Sequence, residues 1–184
     1  RWGRIRGSVA PLGIWLDEYG FQTNPPDKLR GVSAGRQDLY LQQAGYLAWR
    51  DPRVQLLSQY LWVDERVGGG KRYTGWQSGL KYADGQPKPA LAHFAHPMWL
   101  DFASSTLWGQ VRPGGVHAVE VQVRVAGAGT PWQPVADITT GEDGHWSLRT
   151  TLIPYASYRY VADDGAVSDA MVAAQPPPPS IVGP

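Results

Sequence analysis

Two almost unbroken apolar runs constrain this chain most: GIWLDE at residues 13–18 and VQLLSQYLWV at residues 54–63, each running directly into acids, Asp17-Glu18 and Asp64-Glu65. Large apolar residues in succession mark a strand covered on both faces, where a half-exposed strand would alternate. Between the runs, GFQTNPPDKLRG (20–31) reads as a loop by its Gly, Asn and paired Pro. Ser33 is placed to cap a helix reaching about Arg50, with Tyr40, Ala44, Leu47 and Ala48 on one face, and Pro52 stops it. A strand, helix, strand succession closes as a right-handed crossover with parallel strands. Glu18 and Asp64 are then expected on one rim, the one where the loops of α/β folds build their sites.

The texture changes along the rest of the chain. RVGGGKRYTGWQSG (66–79) is a loop, Asp84-Gly85 supplies a turn, and Pro89 opens a short helix, PALAHFAHPMW (89–99). Beyond about Ser104, Val119, Val121, Val123 and Val125 alternate with Glu120, Gln122 and Arg124, the pattern of a half-buried strand. Short runs of the same kind recur at LWGQV, WQPVAD, HWSLRTTL and YRYVA, divided by Gly, Pro and Asp turns at the spacing of an antiparallel sandwich. Three segments are expected: residues 1–103 as an α/β unit, 104–173 as a small Ig-like β-sandwich, and 174–184 as an extended proline-rich tail. The sequence shows no internal repeat.

Composition removes several function classes. Seventeen basic against sixteen acidic residues leave a net charge of +1, too little field to gather nucleic acid or an anionic membrane. The apolar runs fall short of the roughly 20 residues a membrane span needs. With no cysteine, disulfides, thiolate metal sites and cysteine nucleophiles are all excluded. The opening RWGRIRGSVAPLG has neither an initiating Met nor the layout of a signal peptide, and reads as the middle of a longer polypeptide.

The stretches WLDEYGFQTNPPD, QYLWVDE and WQSGLKYADGQPKPALAHF together resemble the last two βα units of a retaining glycoside hydrolase, of the clan of (β/α)₈ barrels with catalytic glutamates on strands four and seven. Its cellulase-like and xylosidase-like bacterial members carry the nucleophile in a similar W-x-x-E-Y-G setting. The resemblance covers residues 13 to about 97 and implies a TIM-barrel portion followed by the sandwich, a carbohydrate substrate, a secreted or cell-surface location, no cofactor and no metal. It implies Glu18 as nucleophile, with Asp17 standing where Thr or Ser is usual. It also implies an acid/base glutamate on a strand this chain does not contain, supplied by an upstream part of the same polypeptide or by a separate chain completing the barrel.

Read without the resemblance, the residues leave alternatives open. A retaining glycosidase needs two carboxyl groups about 5–5.5 Å apart, and strand alternation sends Asp17 and Glu18 to opposite sides, so they do not form that pair. Both could equally be solvated acids at a strand end. Nine Trp and nine Tyr suit the flat faces of sugars. Trp62 and Trp76 are candidate sugar platforms or packing residues, while Trp15 and Trp49 read as core. Tyr19, Gln22, Asn24 and Asp64 are candidate partners for sugar hydroxyls, Asn24 alternatively a turn former before Pro25. His93 and His96 lack a third metal ligand, the glycines at 68–70 lack the Lys-Ser or Lys-Thr of a phosphate loop, and Asp143-Gly144 and Asp163-Asp164-Gly165 read as turns. A glycan-binding or structural module without turnover is the competing function.

Overall fold

The computed structural model describes residues 12–66, 75–125 and 129–174; the glycines at 68–70 and the tail at 175–184 lie outside them. The chain divides into two compact units, Arg1–Phe94 and Ala95–Pro184. In the first, strand β1 (Ile14–Tyr19) and strand β2 (Val54–Gln59) form a two-stranded parallel sheet, Ile14 opposite Val54 and Tyr19 opposite Gln59. Helix α1 (Ala34–Arg50) joins them. Ser33 caps it, its hydroxyl accepting from the Arg36 N–H at 3.3 Å, which satisfies one of the helix's orphan donors. Helix α2 (Pro89–Phe94) packs against α1.

α1 buries a different face from the one its apolar residues suggest. Gln37, Asp38, Gln42, Gly45 and Tyr46 are buried, whereas Leu39, Leu47 and Trp49 are exposed. Hydrogen bonding explains the rotation. The Gln37 amide donates to the carbonyls of Phe21, Ser78 and Gly79 at 2.9–3.2 Å, and Asp38 Oδ2 lies 2.8 Å from His93 Nδ1. Buried polar groups require partners, and here those partners set the orientation of the helix.

The second unit is antiparallel throughout. Strands β3 (Met98–Asp101), β4 (Thr106–Gln110) and β7 (His145–Arg149) form one sheet in the order β3-β4-β7. Strands β5 (Ala118–Arg124), β6 (Gln133–Thr139), β8 (Ser157–Ala162) and β9 (Met171–Val172) form another in the order β6-β5-β8-β9. Both sheets contribute to one apolar core that includes Met98, Leu107, Val119, Val121, Trp146, Tyr158 and Tyr160. Tyr160 meets Trp146 edge to face at 5.1 Å and donates its hydroxyl to the Gln110 carbonyl at 2.7 Å. Gly109 is required beside that indole, because a Cβ there would sit 2.5 Å from Trp146 Nε1.

The expected architecture, two βα units of a TIM barrel followed by an Ig-like sandwich, is corrected by this arrangement. The described residues form mostly small β-sheets with two helices, of 17 and 6 residues. A βα unit needs a helix long enough to return along its strand, and six residues rise only about 9 Å against roughly 20 Å for a six-residue strand. After β2 the chain instead makes isolated bridges, Val63 with Lys81 and Lys81 with Pro87, and the helix expected over residues 89–99 stops at Phe94 before β3 begins. The strands expected to be covered on both faces are open: Trp15 is 68% exposed, and Leu16 and Leu56 are exposed with it.

Candidate functional site at the strand ends

Because β1 and β2 are parallel, their carboxyl ends share one side of the sheet, and the segments leaving them are stitched together there. The Tyr60 N–H donates to the Tyr19 carbonyl at 2.7 Å. Gly20 permits the approach, since a Cβ would lie 2.5 Å from the Tyr60 oxygen and 3.0 Å from Ser78 Cβ. Gln59 Nε2 donates to the Ser78 carbonyl at 2.6 Å, the same oxygen that accepts from Gln37. Gln77 spans both loops. Its N–H donates to Gln22 Oε1 at 3.1 Å, its amide nitrogen donates to the Glu65 carbonyl at 3.0 Å, and its carbonyl accepts from the Thr23 N–H at 3.1 Å.

On this frame Glu18, at the end of β1, is exposed, and no hydrogen bond or ion pair holds it among the described residues. Asp17 is exposed as well. Trp62 and Trp76 are 56% and 51% exposed. Lys81 Nζ lies 5.3 Å from the centre of the Trp62 ring, and Trp76 meets Tyr60 edge to face at 6.1 Å. Glu65 fixes Trp76 from both sides: its Oε2 accepts from the Trp76 N–H at 2.9 Å and its own N–H donates to the Trp76 carbonyl at 3.0 Å. Tyr19 is half-buried against Phe21, and burial pushes its phenol up to about 12, so it stays protonated. Gln22 braces Gln77, whereas Asn24 is exposed, with its N–H donating to the Val32 carbonyl at 2.7 Å.

Asp64 does not share this exposure. It is 5% exposed, and its Oδ1 accepts from Lys88 Nζ at 2.7 Å and from the Gly79 N–H at 2.8 Å. Lys88 also donates to the Gln77 carbonyl at 2.9 Å. Burial pushes the Asp64 carboxyl up and the Lys88 ammonium down, so dehydration works against the attraction within the pair. The pair anchors the loop beneath the rim. Sequence reasoning missed it, along with Glu65 and Gln77, because no local spacing links residues 64 and 88.

The other candidates resolve into structural roles. Trp15, read as core, donates from Nε1 to Gln55 Oε1 at 3.1 Å on an open sheet face, and Trp49 is also exposed. His93 is bound to Asp38 in the first unit, while His96 Nε2 lies 3.5 Å from Asp164 Oδ2 in the second. Gly144 and Gly165, both at positive φ, make turns in which Asp143 Oδ1 accepts from the His145 N–H and Asp164 Oδ1 from the Ala166 N–H. A scan against protein-family models gives no match to this chain, and a search of the curated proteins gives none either. No helix among the described residues is long and apolar enough to cross a membrane.

Proposed function

We propose that the chain is part of a retaining glycoside hydrolase, with Glu18 as the carboxylate that attacks the anomeric carbon. The observation that carries this reading is an exposed carboxylate, unpaired among the described residues, at a strand's carboxyl end, on the side of the sheet where the chain leaving β2 leads to two half-exposed tryptophans. Attack forms a glycosyl ester on Glu18 as the glycosidic C–O bond breaks, and a second carboxyl group protonates the departing oxygen. The same group then takes a proton from water, which displaces the sugar and frees Glu18. Trp62 and Trp76 offer ring faces to the sugar, and Tyr19 and Asn24 serve its hydroxyls. Asp64, buried against Lys88, does not supply the second carboxyl group; a polypeptide segment outside this chain does. That segment covers the apolar surface of Trp15, Leu16, Leu56, Leu39, Leu47 and Trp49.

The experiment traps the intermediate. In the enzyme assembled with its partner segment, a 2-fluoro glycoside labels Glu18, and Glu18→Gln abolishes turnover with the melting temperature unchanged. Labelling at Asp17, or full activity in the variant, refutes the assignment. The pairing of Asp64 with Lys88 favours one second reading, a glycan-binding module without turnover, for which Glu18→Gln changes neither binding nor any hydrolysis.

A further inference from the structure

Both nitrogens of the His117 ring, just ahead of β5, face oxygen. Nδ1 lies 2.9 Å from Asp163 Oδ1 on the turn after β8, and Nε2 lies 3.3 Å from the Gly114 carbonyl on the loop before β5. A carbonyl and an ionised carboxylate can only accept, and a neutral imidazole carries one N–H, so both contacts are hydrogen bonds only in the imidazolium. The ring joins three segments at one end of the four-stranded sheet. Asp163 Oδ2 accepts from the Ala118 N–H at 3.1 Å, so the same carboxylate holds the first residue of β5. The His117 N–H donates to Thr140 Oγ1 and the Thr140 N–H donates to the His117 carbonyl, each at 2.9 Å. Thr140 Oγ1 in turn donates to the Gly115 carbonyl at 2.9 Å, and the Gly115 N–H donates to the Glu142 carbonyl at 2.8 Å. Gly115 is thus tied down without the ring, whereas the Gly114 carbonyl takes its hydrogen bond from it. Among the described residues the charged groups acting on His117 are Asp163 and Asp164. Asp164 Oδ1 accepts from the Ala166 N–H, and its Oδ2 lies 3.5 Å from His96 Nε2.

We propose that His117 is a pH-operated latch in the second unit: as imidazolium it fastens the Gly114 peptide and the turn after β8 to the start of β5, and on losing a proton it releases the Gly114 peptide. The bond to Asp163 is the one kept. It is the shorter of the two and ends on a charged acceptor, so the remaining proton stays on Nδ1, and Nε2 then presents a lone pair to the Gly114 carbonyl. Two acceptors at that distance repel, and Gly114, at φ 112°, has no side chain to resist rotation of its peptide. The movement stops at Gly115, which Thr140 and Glu142 hold. The bond to Asp163, the largest cause, raises the pKa of His117, and the bond from His117, the largest cause there, lowers that of Asp163. The histidine's contribution to stability is therefore complete below its unfolded pKa and is lost as the pH rises through the raised folded one. That of Asp163 is present above the ordinary carboxylate range and is lost as the pH falls through the lowered one. The latch is closed in mildly acidic solution and opens on the alkaline side. With 27% and 45% of the two side chains exposed, water screens the pair, so opening is local and does not unfold the unit. The proposal is independent of Glu18.

The test follows the isotopically labelled full chain by nuclear magnetic resonance over about pH 5–9, reading the histidine ring nitrogens and the backbone amides. At the acid end both ring nitrogens of His117 carry protons. The ring titrates above the ordinary imidazole range, and the Gly114 and Gly115 amide signals move with the same midpoint. His96 gives its own ring signals, which keeps the two titrations apart. Asp163→Asn lowers the His117 midpoint and carries the Gly114 signals with it. His117→Gln keeps a side-chain donor without a titrating proton, and the Gly114 signals then stay in place over the same range. As the pH rises through the His117 midpoint, the melting temperature of the wild type falls relative to that of His117→Gln. A ring with one proton at the acid end, a midpoint at or below the ordinary imidazole range, or Gly114 signals that do not track the ring overturn the proposal. If neither variant folds, the wild-type titration decides by the same criteria.

Discussion

Replacing Lys88 by methionine isolates the buried pair that holds the loop under the strand ends. The side chains of Lys88 and Asp64 are 0% and 1% exposed, and their charged atoms are 2.7 Å apart. Methionine fills nearly the same volume, so the change removes the ammonium and little packing. What stays behind is a carboxylate with the Gly79 N–H as its remaining donor, and breaking a buried pair in this way costs about 3–5 kcal/mol. Asp64→Leu combined with Lys88→Met removes both charges and should recover most of that loss, leaving about 1 kcal/mol for the hydrogen bond from Gly79. Urea unfolding followed by the fluorescence of Trp62 and Trp76 reads both effects. The pH dependence has a defined sign. Burial already raises the Asp64 carboxyl, and loss of Lys88 raises it further above its unfolded value. The neutral acid needs no counter-ion, so the penalty relative to the wild type is largest near neutral pH and shrinks as the pH falls through the raised carboxyl range. A loss under about 1 kcal/mol at pH 7, or a double variant as unstable as the single one, refutes the argument.

Trp62→Ala should cost less than about 2 kcal/mol, against about 3–5 for a buried tryptophan, while glycan affinity drops; thermal melts and a binding titration separate the two. Tyr160→Phe removes the hydroxyl bonded to Gln110 and should destabilise the second unit by about 1–2 kcal/mol, read as a lower melting temperature. Gly109→Ala forces a methyl into the Trp146 indole and should cost about 1–3 kcal/mol in the same assay. The purified chain alone should lack glycosidase activity and self-associate with concentration in light scattering, through its exposed Trp15, Leu16, Leu47 and Leu56; an active monomer contradicts this.

Local signals in the sequence were dependable where local physics decides. Ser33 marks the start of α1 because a capping hydroxyl acts within three residues, and the valine alternation of β5 marks its buried face because pleating fixes side-chain direction. The apolar run at 54–63 overstates β2, which ends at Gln59, because apolar content does not show where a ladder loses its partner. The same runs suggested covered strands, yet coverage depends on other layers, and Trp15 stays 68% exposed. At the candidate site, Glu18, Trp62 and Trp76 are exposed. Asp64 looked equivalent to Glu18 in sequence, and its partner 24 positions on, Lys88, gives it the opposite role. Gln37 shows the same limit, since a glutamine on a helix reads as solvated until three carbonyls from distant loops converge on it.

The polar interior of the first unit also shapes how it responds to temperature. Among its described residues the buried apolar side chains are Tyr46, Leu80 and Ala90, outnumbered by Thr23, Gln37, Asp38, Gln42, Asp64, Gln77, Ser78 and Lys88, while several of the largest apolar side chains face outward. Unfolding therefore exposes little new apolar surface, and the polar surface it does expose lowers the heat capacity. The first unit should therefore have a shallower stability curve for its size than the second, which is built around Trp108, Trp146, Tyr158 and Tyr160. Calorimetry of each unit should read that difference as a smaller heat-capacity change for the first.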